Sequence, residues 1–169
     1  MLSLKSALGK LVGFAENPVT PTGFYYGNCP THMAKTTGTY YTPSTWTNQT
    51  YTHLINDTNF FEADSNGFKV LKTGNYFYTT SCHMNSNGST TMSLATNMRV
   101  YTNGTGADIS NSRRYLLLVS QGYGPLSTNG VTHLNAGQII APVFGRYSGT
   151  ATEFKPSIIY YTLMYLGER

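Results

Sequence analysis

Apolar and polar positions alternate with period two along most of this chain, most sharply between Phe68 and Met84. After Gly74, residues Tyr76, Tyr78, Thr80, Cys82 and Met84 share one face of an extended segment, and Asn75, Phe77, Thr79, Ser81 and His83 share the other, because strand side chains point to opposite faces in turn. The turn sequence Asp64-Ser65-Asn66-Gly67 precedes it and predicts a hairpin between residues 60–61 and 68–70. Further strands are predicted over residues 46–55, 76–84, 91–101, 115–120, 131–134, 138–146 and 157–166. Turn-forming clusters at 85–88, 103–106, 122–124, 129–130 and 148–149 separate them. No segment after Phe14 has sustained helical periodicity with caps. About eight strands at this spacing predict an all-β protein, an antiparallel sandwich or barrel of two sheets.

The start of the chain has a different pattern. Leu4, Leu8 and Leu11 recur at i, i+4 and i+7 with Lys5 and Lys10 off that line and Ser3 placed to cap, which predicts a short amphipathic helix over residues 1–16. A helix this short, weakened by Gly9 and Gly13, is ordered only against something else. Leu4, Leu8, Leu11 and Phe14 are therefore candidates for trimerisation or for attachment to another protein. Residues 17–43 carry Pro18, Pro21, Pro30 and Pro43 among Gly, Asn and Thr, the composition of a linker. The globular domain is expected over residues 44–169.

Composition adds a constraint on partners. Charged residues make up 11% of the chain, so its surface is built from neutral Tyr, Thr, Asn and Ser, which suits dense assembly and sugar contact. The net charge is +4, but the eleven Lys and Arg are scattered and only Arg113 and Arg114 adjoin, which leaves no footprint for a nucleic acid. No apolar run reaches the roughly 20 residues of a membrane span, and the first fourteen residues lack the apolar stretch of a signal peptide. Cys29 and Cys82 read as reduced thiols, Cys82 on the inward face of its strand. Four Asn-x-Ser/Thr triplets, at Asn48, Asn56, Asn87 and Asn103, are expected by chance in a chain this rich in Asn and Thr.

Several of the strands carry family spacings. Gly74-Asn75-Tyr76-Phe77-Tyr78, with Phe68 six residues ahead, resembles the G-x-Y-x-F core strand of the complement C-one-q-like and tumour-necrosis-factor-like jelly rolls. Met92-Ser93-Leu94-Ala95-Thr96-Asn97 is similar to that superfamily's L-x-x-N segment, and Leu134-Asn135-Ala136-Gly137-Gln138-Ile139-Ile140 to its L-x-x-G-D-x-V segment. Ser157-Ile158-Ile159-Tyr160-Tyr161-Thr162-Leu163 resembles its closing S-x-F-x-G-x-L strand. Gln138 stands in place of the acidic residue, and Ile159 and Tyr161 in place of Phe and Gly, so contacts tied to those positions do not carry over. The resemblance implies a ten-stranded jelly roll that associates as a homotrimer about a threefold axis. The closing strand is apolar or aromatic on both faces, and Tyr161, Leu163 and Tyr165 are the expected trimer interface.

Candidate chemistry is sparse. The seven acids and four histidines show no ligand spacing on one face, there is no G-x-S-x-G elbow, and Cys82 and His83 point to opposite faces of a strand. No catalytic residue, metal or cofactor is expected. Aromatic rings and amides suit sugars better, and Tyr101, Asn103, Tyr123, Arg113 and Arg114 are the candidate receptor-binding residues. The expected function is a bacteriophage virion fibre or tail-tip protein, made in the host cytoplasm and displayed on the virion surface. It would bind a host surface glycan or protein as a homotrimer and other virion proteins through residues 1–16. A structural head-fibre or capsid decoration protein and a secreted recognition or signalling module of the same fold stay open as alternatives.

Overall fold

The computed structural model describes residues 20–88, 90–119 and 122–168. The helix expected over residues 1–16 lies outside them. Among the described residues the strands are β1 (Thr22–Asn28), β2 (Met33–Ala34), β3 (Tyr40–Tyr41), β4 (Thr50–Ile55), β5 (Phe61–Asp64), β6 (Gly67–Val70) and β7 (Gly74–Ser86). They continue as β8 (Met92–Thr102), β9 (Thr105–Asp108), β10 (Arg114–Leu118), β11 (Tyr123–Leu134), β12 (Ile139–Gly149) and β13 (Glu153–Gly167). One sheet has the order β11-β7-β13-β1-β4, with β2 beside the start of β13. The other has the order β10-β8-β12-β6-β5, with β3 beside β12 and β9 beside β8. The strand pairings are antiparallel, and the two sheets stack as a jelly-roll sandwich. The count exceeds the ten implied by resemblance because β2 and β3 are two-residue additions and because β9 and β10 are one edge of β8, interrupted at residues 109–113.

The alternation read in the sequence is what fills the core. Tyr76, Tyr78, Thr80, Cys82 and Met84 of β7 are buried, and every residue between them is partly or fully exposed. Tyr25 from β1 and Ile159, Tyr161 and Leu163 from β13 join them, and Phe68, Leu94, Met98, Ile140 and Phe144 face them from the other sheet. Rings dominate the centre: Phe68 lies 5.4 Å from Tyr161 and 5.9 Å from Phe61 between centroids, in tilted contact. Complete burial of a ring such as Phe68 stabilises the fold by about 1.5–3 kcal/mol.

Three expectations change. Residues 17–43 are not all linker, because β1 pairs along its whole length with β13 on one side and β4 on the other. Gly23 and Gly27 read as breakers but serve as space: a Cβ at either would lie 2.7 Å from a ring atom, of Phe68 and of Tyr25 respectively. The strand expected over residues 46–55 starts only at Thr50. Trp46 instead follows a 3-10 turn at Pro43–Thr45 and inserts between Phe144 and Phe154, its Nε1 donating to the Phe154 carbonyl at 3.2 Å. The cluster at 129–130 is no turn but the interior of β11. By contrast Asn103 and Gly104, with φ of 50° and 83°, close the β8–β9 hairpin as a two-residue turn with both φ positive.

Candidate functional site

The two sheets present different outer faces. On the first sheet, β1, β4, β7, β11 and residues 158–167 of β13 contain no Lys, Arg, Asp or Glu. Register places Leu54, Phe24, Thr162 and Thr79 in one outward row and Thr52, Tyr26, Tyr160 and Ser81 in the next. Tyr160 packs against Tyr26 at 5.5 Å and Phe24 at 6.2 Å between centroids and is still 45% exposed. Leu54 is 63%, Val131 58% and Leu166 54% exposed on the same sheet. An uncharged surface of Thr and Ser hydroxyls with this many exposed aromatic and aliphatic side chains has the chemistry of a contact rather than of a solvated face.

The second sheet carries most of the charges, the first having Glu153 and Lys155 at the start of β13. Asp108 of β9 accepts from Arg99 of β8 at 2.6 Å and from Arg113 at 3.0 Å, and the Arg113 guanidinium lies 5.0 Å from the Tyr40 ring centre. Nearer the end that holds the β8–β9 turn, Ile139 pairs with Lys69 on one side and Tyr101 on the other. Lys69, Ile139 and Tyr101 thus form one outward row across three strands. Asp64, Asn66 and Asn103 stand around it, enclosing a cavity of about 500 Å³. Tyr101 leans on Gly106, where a Cβ would lie 2.7 Å from its ring. Burial raises the Tyr101 hydroxyl above its ordinary pKa, partly offset by Arg99.

The expected site residues distribute unevenly over these features. Tyr101 and Asn103 come together in the cavity just described. Arg113 and Arg114 sit apart from them and are committed within the chain: Arg113 to Asp108, Arg114 to the carbonyls of Asn111 and Arg113. Tyr123 is 74% exposed at the opposite end of β11 from Leu134 and joins neither group. The interface assignment on the closing strand takes the wrong face. Tyr161 and Leu163 are fully buried in the sandwich, and Tyr165 packs inside against Phe60 and Tyr76 at 4.7 and 5.2 Å. The outward residues are Tyr160, Thr162, Met164 and Leu166. Leu4, Leu8, Leu11 and Phe14 lie outside the described residues. Asp64, Asn66 and Lys69, which the sequence pattern places only in a hairpin, reach Tyr101 through the β6–β12–β8 register.

The thiols are buried, and the hairpin carboxylates have partners within the chain. Burial pushes the Cys29 thiol up to about 12 and the Cys82 thiol higher, and Cys82 donates to the Leu126 carbonyl at 3.4 Å while His83 faces outward. The two thiols are not bonded to each other. Glu62 pairs with Lys69 at 2.8 Å, and Asp64 accepts the Asn66 backbone N–H at 3.0 Å. Among the described residues no three His, Cys, Asp or Glu side chains gather as a metal site.

No family model and no curated protein matches this chain. Solved structures do. The crystal structure of murine APRIL at pH 5.0 is similar over 85% of this chain and 98% of its own, at 13% identity and a TM-score of 0.55. The Eiger TNF of S. frugiperda is similar over 89% of this chain and 94% of its own, at 10% identity and a TM-score of 0.57. Identities this low show a shared architecture and nothing finer, and that architecture is the TNF-type jelly roll.

Proposed function

We propose that this protein is a homotrimeric recognition module, a fibre or tail-tip protein on a virion surface that binds a host surface glycan and performs no catalysis. The observation that carries the reading is the contrast between the outer faces. The uncharged, aromatic face around Phe24, Tyr26 and Tyr160 is the side that other copies cover, and the charged sheet is the side left to solvent and ligand. The first sheet also ends in a long edge strand, β11, with Val131 and Tyr123 exposed, and such an edge invites pairing unless a neighbour covers it. A cyclic assembly in which each copy lays this edge on the next copy's apolar face closes without leaving either surface open. The likeness to TNF-type folds and the neutral polar composition support the same reading. Residues 1–16 attach the trimer to the particle, which is assembled in the host cytoplasm.

Three identical sites on one trimer turn weak glycan contacts into firm attachment. The test is a glycan array and host-cell binding assay with the full chain and with Tyr160→Glu. Binding by the full chain that weakens at least about tenfold when the copies are separated is the expected result. A blank array together with no cell binding would overturn the recognition reading. Equal binding by both proteins would overturn the part played by trivalency.

A further inference from the structure

We infer that the cavity over Ile139, on the outer face of the second sheet, is a binding site for one neutral pyranose unit of a glycan; this rests on the recognition reading above. Its about 500 Å³ holds one sugar ring with its ordered water, within the range of small-ligand sites. The apolar part of the lining is Tyr101 and Ile139, where the C–H face of a pyranose packs.

The polar part is what selects a sugar. Asp64 spends Oδ1 on the Asn66 N–H, and its Oδ2 has no protein partner among the described residues. Lys69 gives one proton to Glu62 and retains two. The Asn103 side chain, on an exposed turn with φ 50°, makes no hydrogen bond among the described residues. An open acceptor, an ammonium and an amide that both donates and accepts thus ring an apolar floor, which matches the alternating hydroxyls of a sugar.

Charge narrows the class. Asp64 balances Lys69 within the lining, and Glu62 occupies the same ammonium from outside, so the site offers no net positive field for a phosphate, sulfate or uronate. A lone carboxylate facing the cavity is too few ligands for a divalent cation. The cavity also lies on the sheet opposite to the uncharged face, so self-association leaves it open.

The experiment is a titration of the 15N-labelled full chain with D-glucose, D-galactose, D-mannose and N-acetyl-D-glucosamine, with D-glucuronic acid as the charged comparison, alongside the glycan array. The expected result is saturable shifts of the amides of residues 64–67, 101–104 and 137 with at least one neutral sugar. Tyr101→Ala and Asp64→Asn should each weaken that binding at least about tenfold. Asn103→Gly, which removes the amide and keeps a residue at home at the positive φ of this exposed turn, provides a variant whose fold is not in question. If the array shows glycan binding while these amides stay still and Asp64→Asn and Asn103→Gly bind as the parent does, the inference falls and the recognition reading stands. If array and titration are both blank, both fall. Tighter binding of glucuronic acid than of every neutral sugar overturns the assignment to a neutral ligand.

Discussion

Gly130 lies against the hydroxyl end of Tyr78. The two residues face each other across β11 and β7, and a Cβ on Gly130 would stand 2.5 Å from Tyr78 Oη and 2.8 Å from Cζ. Tyr78 is buried and hemmed in, so its ring has no room to retreat. Gly130→Ala should therefore destabilise the protein by about 1–3 kcal/mol, lowering Tm by several degrees in thermal denaturation. Adding Tyr78→Phe, which removes the atom nearest the new methyl, should cost less than the sum of the two single changes.

That pair also explains why Asn129-Gly130 reads as a turn and is not one. An Asn-Gly pair satisfies a two-residue turn equally well as a strand that needs a gap for a ring, and only the partner strand decides. The same ambiguity hides β1, whose Gly23 and Gly27 make room for Phe68 and Tyr25. In β7 one face is aromatic and the other largely polar, so period two gives both the strand and its inward side. In β13 both faces are apolar or aromatic, so period two gives the alternation without its sign, and nothing in the pattern tells the face of Tyr161 and Leu163 from that of Tyr160 and Met164. The cavity depends on strands far apart in sequence, and no local pattern joins Lys69 to Tyr101.

Ser112 ties down the break between β9 and β10. Its buried Oγ meets Asn97 Oδ1, lies 2.8 Å from the Ile109 carbonyl and accepts the Met98 N–H at 3.0 Å. Ser112→Ala leaves the Asn97 oxygen and the Met98 N–H buried without a partner, at a cost of about 1–3 kcal/mol. Urea denaturation should show this loss, and faster amide exchange at residue 98 should accompany it.

Stability should fall above about pH 9. Burial holds the Cys29 thiol, ordinarily at 9.0, up to about 12, and raises Cys82, Tyr25, Tyr76 and Tyr161 as well. Each group keeps its proton in the folded chain after the unfolded chain has lost it. The stability they contribute is therefore complete below the unfolded value and is lost as pH rises toward the folded one. Urea midpoints at pH 7, 9 and 10 should decline in that order. A thiol reagent at pH 8 should find both cysteines unreactive until the protein unfolds.

A charge placed on the uncharged face should separate the copies. Tyr160→Glu sets a carboxylate between Phe24 and Tyr26, and Val131→Arg sets a guanidinium on the β11 edge. An unpaired charge buried in a contact costs several kcal/mol, on the order of a hundredfold or more in association. Leu163→Ala, inside the sandwich, should lower Tm by core loss and leave the association constant of the folded protein nearly unchanged.

The solution mass of the purified full chain, measured by light scattering at micromolar concentration, bears most directly on the proposed assembly. A homotrimer built on the face around Tyr160 predicts three times the chain mass of 18.6 kDa, falling toward 18.6 kDa for Tyr160→Glu. A folded parent protein that stays at 18.6 kDa would contradict the trimer and the assignment of that face as its interface.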